Sequence, residues 1–148
     1  MRTFLRAILI FLLILIGCSS PEEPKVFVFE PVDGISFKFE ILKMLDPSYS
    51  KDDRENRYEG VNYRLTLTNN TEREIYFNPG NVRVRINGVA SEYTRPQGLG
   101  SGEWTTKPYP TGSTVFNSIS MFPEKLVGVK IEDIRTFSLE STGLEGPP

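Results

Sequence analysis

The sequence predicts an all-β chain, an antiparallel sandwich of about seven to nine strands, and three observations lead there. Apolar residues recur with a period of two along much of the 148-residue chain. Asparagine, glycine and proline interrupt them at short intervals, and long helical periodicity is absent beyond residue 26. Successive side chains of a strand point to opposite faces, so this period buries one face and wets the other; several such strands must then pack face to face. A small closed barrel is the rival architecture.

Residues 26–29, Val-Phe-Val-Phe, read as a first strand. Ile35, Phe37, Phe39 and Ile41 alternate with Ser36, Lys38 and Glu40, the pattern of a half-buried strand. Leu42, Met44 and Leu45 shift that phase, which a bulge near residues 41–43 would produce. The charged stretch 51–57 separates this strand from the next, in which Val61, Tyr63, Leu65 and Leu67 alternate with polar residues up to Asn69-Asn70-Thr71. Residues 75–77 resume as a strand. Val82, Val84 and Ile86 then alternate with Arg83 and Arg85 as far as Asn87-Gly88, a pair suited to a type I′ turn, with residues 89–94 as the hairpin partner. Residues 96–109, rich in glycine and proline around the single tryptophan Trp104, read as a long loop. Residues 115–122 and 126–131 are expected strands, residues 136–139 close the sheet, and residues 143–148 form a frayed tail.

Composition supports a packed core, with 39% hydrophobic and 11% aromatic residues. There is no histidine, which removes the usual general base and the commonest zinc ligand, and with them the ordinary serine and cysteine triads. Cys18 is the only cysteine, so no intrachain disulfide can form.

The N-terminus has the form of an export signal. Arg2 and Arg6 make a positive start, residues 7–16 follow without a polar side chain, and Gly17 and Cys18 close the run. That run is short of the roughly 20 residues a spanning helix needs, so a cleaved signal helix is the expectation. Leu15-Ile16-Gly17-Cys18 resembles the lipobox of bacterial lipoproteins. The resemblance implies a diacylglyceryl group on the Cys18 thiol, cleavage between Gly17 and Cys18, and acylation of the new amino group. Each buried methylene contributes about 0.8 kcal/mol, so two or three acyl chains anchor durably where one does not. The expected division is a signal peptide at 1–17, a polar tether at 18–25, a β-sandwich domain at 26–141 and a tail at 142–148. Ser19 after the cysteine resembles sequences sorted to the outer membrane of Gram-negative cells; in a Gram-positive cell the chain would sit on the outer face of the plasma membrane. The whole chain holds 17 Lys+Arg against 19 Asp+Glu, and loss of Arg2 and Arg6 with the leader makes the balance more acidic. Nucleic acid, which calls for a clustered basic face, is not an expected partner.

The middle of the chain, about residues 35–139, resembles the DUF4352-type Ig-like domains found on bacterial lipoproteins. The matching pieces are residues 63–71, from the alternating strand into the Asn-Asn-Thr turn, residues 82–88, and the Pro110-Thr111-Gly112 segment that opens a late strand. The resemblance implies an Ig-like sandwich acting as an adhesive or recognition module, and it supplies no catalytic residues. The cysteine pair of antibody domains is missing.

Four groups of residues are candidate sites. Asp52, Asp53 and Glu55 could offer oxygens to calcium, but interleaved Lys51, Arg54 and Arg57 make a charge-balanced, solvated loop the plainer reading, and no metal or other cofactor is expected. Trp104, Tyr109 and Tyr93 are the candidate ligand contacts, an aromatic platform for a sugar or a protein; the competing reading folds Trp104 over one end of the sandwich as a plug. Arg83 and Arg85, with Arg73 or Arg95, suggest either a basic patch or charge protection of a sheet edge. Asn69-Asn70-Thr71 fits the N-glycosylation acceptor pattern as well as a turn. The function expected is a membrane-anchored Ig-like module, held to lipid through Cys18, that contacts an envelope protein, a cell-wall glycan or a host molecule. A structural or accessory subunit of an envelope complex is the alternative. An envelope enzyme is a distant third, because no visible spacing brings paired carboxylates or a Ser-Lys set together.

Overall fold

Alternation in the sequence becomes alternation in burial. The computed structural model of the chain describes residues 23–45, 58–98, 105–123, 126 and 129–147, with residues 58 and 59 by backbone only. The expected signal helix, Cys18, most of the tether, the charged stretch 51–57 and Trp104 lie outside the described residues. Nine strands are present among the described residues: β1 (Lys25–Val32), β2 (Ile35–Leu45), β3 (Tyr58–Asn69), β4 (Ile75–Ile86), β5 (Val89–Ala90), β6 (Tyr93–Pro96), β7 (Lys107–Tyr109), β8 (Gly112–Pro123) and β9 (Phe137–Glu145).

All pairings are antiparallel, and they make two sheets. One runs β1-β2-β3-β8-β6. In the other, β4 is central, with β9 on one edge and β5 and β7 sharing the other. Past β3, each connection other than the β4–β5 hairpin carries the chain from one sheet to the other. The sheets are therefore interlaced.

The expected pattern holds in β2 and β3. Ile35, Phe37, Phe39 and Ile41 are buried on β2, and Val61, Tyr63, Leu65 and Leu67 face the same core from β3. The register between these strands slips between Ile41 and Lys43, so Leu42 is the extra residue of a bulge where the apolar phase shifts. At the hairpin tip Asn87 has φ +48° and Gly88 φ +82°, the two left-handed positions that a type I′ turn requires.

Elsewhere the chain departs from the expected elements. The two strand pieces expected at 75–77 and 82–86 are one strand, β4, interrupted by residues 78–81. Its register with β9 jumps from Phe77–Leu144 to Val82–Thr142, and the Asn78 side chain closes the excursion by accepting a 2.9 Å bond from Gly80 N. The hairpin partner expected at 89–94 divides between the sheets. Ser91 N donates to Val84 O (2.8 Å), Ser91 Oγ accepts from Val84 N (3.0 Å), and the next amide, Glu92 N, already bonds Met121 O of the opposite sheet (2.9 Å). The serine hydroxyl thus occupies a ladder position, freeing the main chain to cross.

No strand spans the described part of 126–131. Val129 N bonds Leu126 O, and Ile131–Asp133 is a 3-10 helix in which Ile134 N bonds Ile131 O. The relevant spacing here is three, which puts Ile131 and Ile134 on one side; with Leu126 they are buried against the core. Three residues of the expected loop form the short strand β7, and β9 runs on to Glu145, so the residues read as the start of the tail belong to the sheet.

Aromatic rings fill the space between the sheets. Phe137 of β9 stacks on Phe27 with ring centroids 4.5 Å apart and lies 5.2 Å from Phe39. Phe77 of β4 sits 5.9 Å from Phe37 and 5.3 Å from Phe116. Fully burying a side chain of this size contributes about 1.5–3 kcal/mol, so these rings outweigh the surface ion pairs.

Gly143 faces the β4 excursion with φ +70°, and a Cβ there would lie 2.5 Å from Asn78 O. Gly143→Ala therefore combines left-handed strain with a clash against backbone, and a loss of about 2–4 kcal/mol is expected in denaturant unfolding. A loss under about 0.5 kcal/mol would show that this strand pairing is misassigned.

Candidate functional site

The polar residues of the core form a directed chain of hydroxyls. Thr94 Oγ1 donates to Val82 O (2.7 Å), since a carbonyl only accepts. Its contact with Ser120 Oγ (2.8 Å) must then take the serine proton, which leaves Tyr63 OH to donate to Ser120 Oγ (3.1 Å). The order is fixed: Tyr63 to Ser120 to Thr94 to the Val82 carbonyl. It joins three strands of one sheet to the central strand of the other. Burial pushes the Tyr63 phenol above its ordinary value of 10.0, and the Ser120 hydrogen bond only partly offsets this.

Three more polar side chains hold loops rather than ligands. Asn69 is fully buried: its Nδ2 donates to Arg73 O (2.8 Å) and Tyr109 O (3.3 Å), while its Oδ1 accepts from Thr71 N (2.9 Å) and Thr71 Oγ1 (2.6 Å). Both amide protons are committed, so the Asn-Asn-Thr segment is a turn whose acceptor nitrogen is closed off. Asn87 accepts from Arg135 N (2.7 Å) and Thr136 N (3.1 Å) and donates to Asp133 O (3.0 Å), tying the hairpin tip to the start of β9. Lys25 Nζ donates to Ile134 O (2.6 Å), with longer contacts to Ile131 O and Glu132 O, and so fixes the first residue of β1 to the 3-10 helix. The turn role of Asn69 was legible; the reach of Asn87 and Lys25 across about a third of the chain or more had no local signal.

The two tyrosines of the aromatic platform lie in different sheets. Tyr109 lies on β7 and packs inward, edge-on to Phe77 at 5.8 Å and to Phe116 at 5.6 Å, and burial raises its phenol pKa. Tyr93 lies on β6 in the other sheet, opposite Met121. Trp104, the third member, falls outside the described residues.

The arginines also part company. Arg83 bonds Gly80 O (2.6 Å) and Val82 O (2.9 Å), whereas Arg85 pairs with Glu140 and bonds Gly88 O (2.7 Å). Arg95 sits on β6 in the opposite sheet. The edge-protection reading of Arg83 and Arg85 is corrected by the topology, because β4 is the central strand of its sheet. Arg85 lowers the Glu140 pKa by hydrogen bonding, and Thr106 and Asn81 do the same for Glu145. All these carboxylates are exposed and serve surface contacts. Among the described residues no three His, Cys, Asp or Glu side chains gather as a metal site, and no helix is long and apolar enough to cross a membrane.

Fold and surface together define an all-β, sandwich-like protein of two antiparallel sheets. No family model, curated protein or solved structure matches the chain.

The sign of the Tyr63 shift yields a pH test. Below pH 10 the phenol is neutral in both states and its contribution is fully present. As pH rises through 10 the unfolded chain ionises first, and stability falls. Tyr63→Phe is expected to cost about 1 kcal/mol at neutral pH and to lose less than the parent above pH 10. Parallel stability curves for the two proteins between pH 9 and 11 would remove Tyr63 from the account.

Proposed function

We propose that this chain is a lipid-anchored envelope protein whose Ig-like β-sandwich acts as a recognition module through non-covalent contact. The observation that carries the reading is Leu15-Ile16-Gly17-Cys18 at the end of an apolar run that begins just after Arg6. The position of the first strand supports it. β1 opens at Lys25, so a β domain follows directly on a short polar tether. The cysteine inventory supports it too, because Cys18 has no other cysteine to pair with and its thiol is available for acylation. The partner is an envelope protein, a cell-wall glycan or a host molecule met at the membrane surface.

Cell fractionation tests the anchor. Wild-type protein is expected in the membrane fraction and Cys18→Ala in the soluble fraction. A membrane-bound Cys18→Ala chain would contradict the lipid anchor. Cross-linking in intact cells tests the module, for which substoichiometric partners are expected; one stoichiometric complex would instead identify a structural subunit.

A further inference from the structure

We infer that the outer face of the β1–β2 hairpin is a membrane-contact surface, which lies on the anionic lipid that holds the anchor. The inference rests on the lipid-anchor reading and adds what the domain does with that membrane.

The face is apolar at its edge and cationic behind it. On β1 the valines alternate outward from the half-buried rings of Phe27 and Phe29, with Val28 at 65% exposure and Val26 at 44%. Leu42, the bulge residue of β2, is exposed near the same end of the hairpin, since Lys25 pairs with Ile41. Among the described residues no strand pairs with the far side of β1. Val28 lies opposite Lys38 and Val26 opposite Glu40, which in turn lies opposite Arg64; Lys43 follows, opposite Asn62. Glu40 bonds Lys38 (3.1 Å) and faces Arg64 (3.6 Å), so two cations flank this largely covered carboxylate. The exposed Glu30 at the turn end of β1 accepts from Gly34 N, which leaves Lys38, Lys43 and Arg64 against two carboxylates. An apolar strip backed by excess positive charge, on a chain of net charge −2, suits acyl chains and anionic headgroups.

Where the chain goes selects this occupant over a second copy. Six residues lie between Cys18 and Lys25, seven chain steps with a reach of about 25 Å when extended. Lys25 is itself fixed to the 3-10 helix, so the tether meets the domain at the exposed valines. At such a reach the effective lipid concentration is high, and a contact too weak to recruit a free protein is populated. A second copy meeting this face across a two-fold axis would bring together two patches of the same net positive sign.

The test uses the lipidated full chain in vesicles of phosphatidylethanolamine and phosphatidylglycerol. An acylated Cys18 leaves an engineered cysteine as the only free thiol, so Val28→Cys and, on the far sheet, Ser138→Cys each take one nitroxide label. The expected result is a ratio of oxygen to water-soluble nickel accessibility several-fold higher at position 28 than at 138, which Lys43→Glu lowers. Equal, water-like ratios on a lipidated chain would overturn the surface and leave the anchor standing. Dipolar broadening at position 28 without the oxygen preference would assign the face to a second copy, also overturning it. A Cys18 that carries no lipid would overturn both readings.

Discussion

The structure depends on aromatic packing between two sheets that have no covalent bond to hold them. Cys18 is the only cysteine and precedes the first strand, so the domain lacks the cross-link on which many small exported folds rely. A disulfide is worth about 2–4 kcal/mol. An aromatic pair adds about 0.5–1.5 kcal/mol beyond the area it buries, so a few pairs across the interface supply an equivalent. Phe27, Phe39 and Phe137 make such contacts at one part of the core, and Phe37, Phe77 and Phe116 at another. Exposed pairs such as Arg85 with Glu140 contribute far less than this core.

Burial alone does not fix how one sheet sits on the other; the hydroxyl chain from Tyr63 to the Val82 carbonyl does. A slide of one sheet would leave a buried hydroxyl without a partner, at about 1–3 kcal/mol for each orphaned group. The same logic governs the ends of the sandwich. Asn69, Asn87 and Lys25 each bind main-chain groups brought from distant parts of the sequence. Their bonds convert loose connections into closed ends, and the closed ends in turn protect the rings.

How much of this could be read in the sequence depends on how local each cause is. β2 and β3 were legible because alternation over seven or more residues has one physical meaning, and the slip after Ile41 showed as a broken period. The Asn87-Gly88 turn was legible because its backbone demands those residue types. The switch of sheets at Ser91 was not, since it depends on Glu92 finding Met121 across the core. Residues 126–131 misled because a short apolar run suits a strand or a turn equally until its neighbours are known. Gly143 read as tail because glycine signals looseness locally, whereas here it admits the Asn78 carbonyl. Of the candidate contacts, Tyr109 was drawn inward by Phe77 and Phe116, which no local pattern announces.

The fold and the proposed role meet at the cysteine. Because ring packing and the hydroxyl chain span the sheets without a disulfide, the only thiol is left to chemistry outside the domain, and the proposed role uses it for lipid. Intact-protein mass spectrometry of material purified from its native membrane tests this most directly. The account predicts a chain that begins at Cys18 and is heavier than that polypeptide by a diacylglyceryl group, with or without a further acyl chain. A mass equal to the unprocessed, unmodified chain of 148 residues would contradict it.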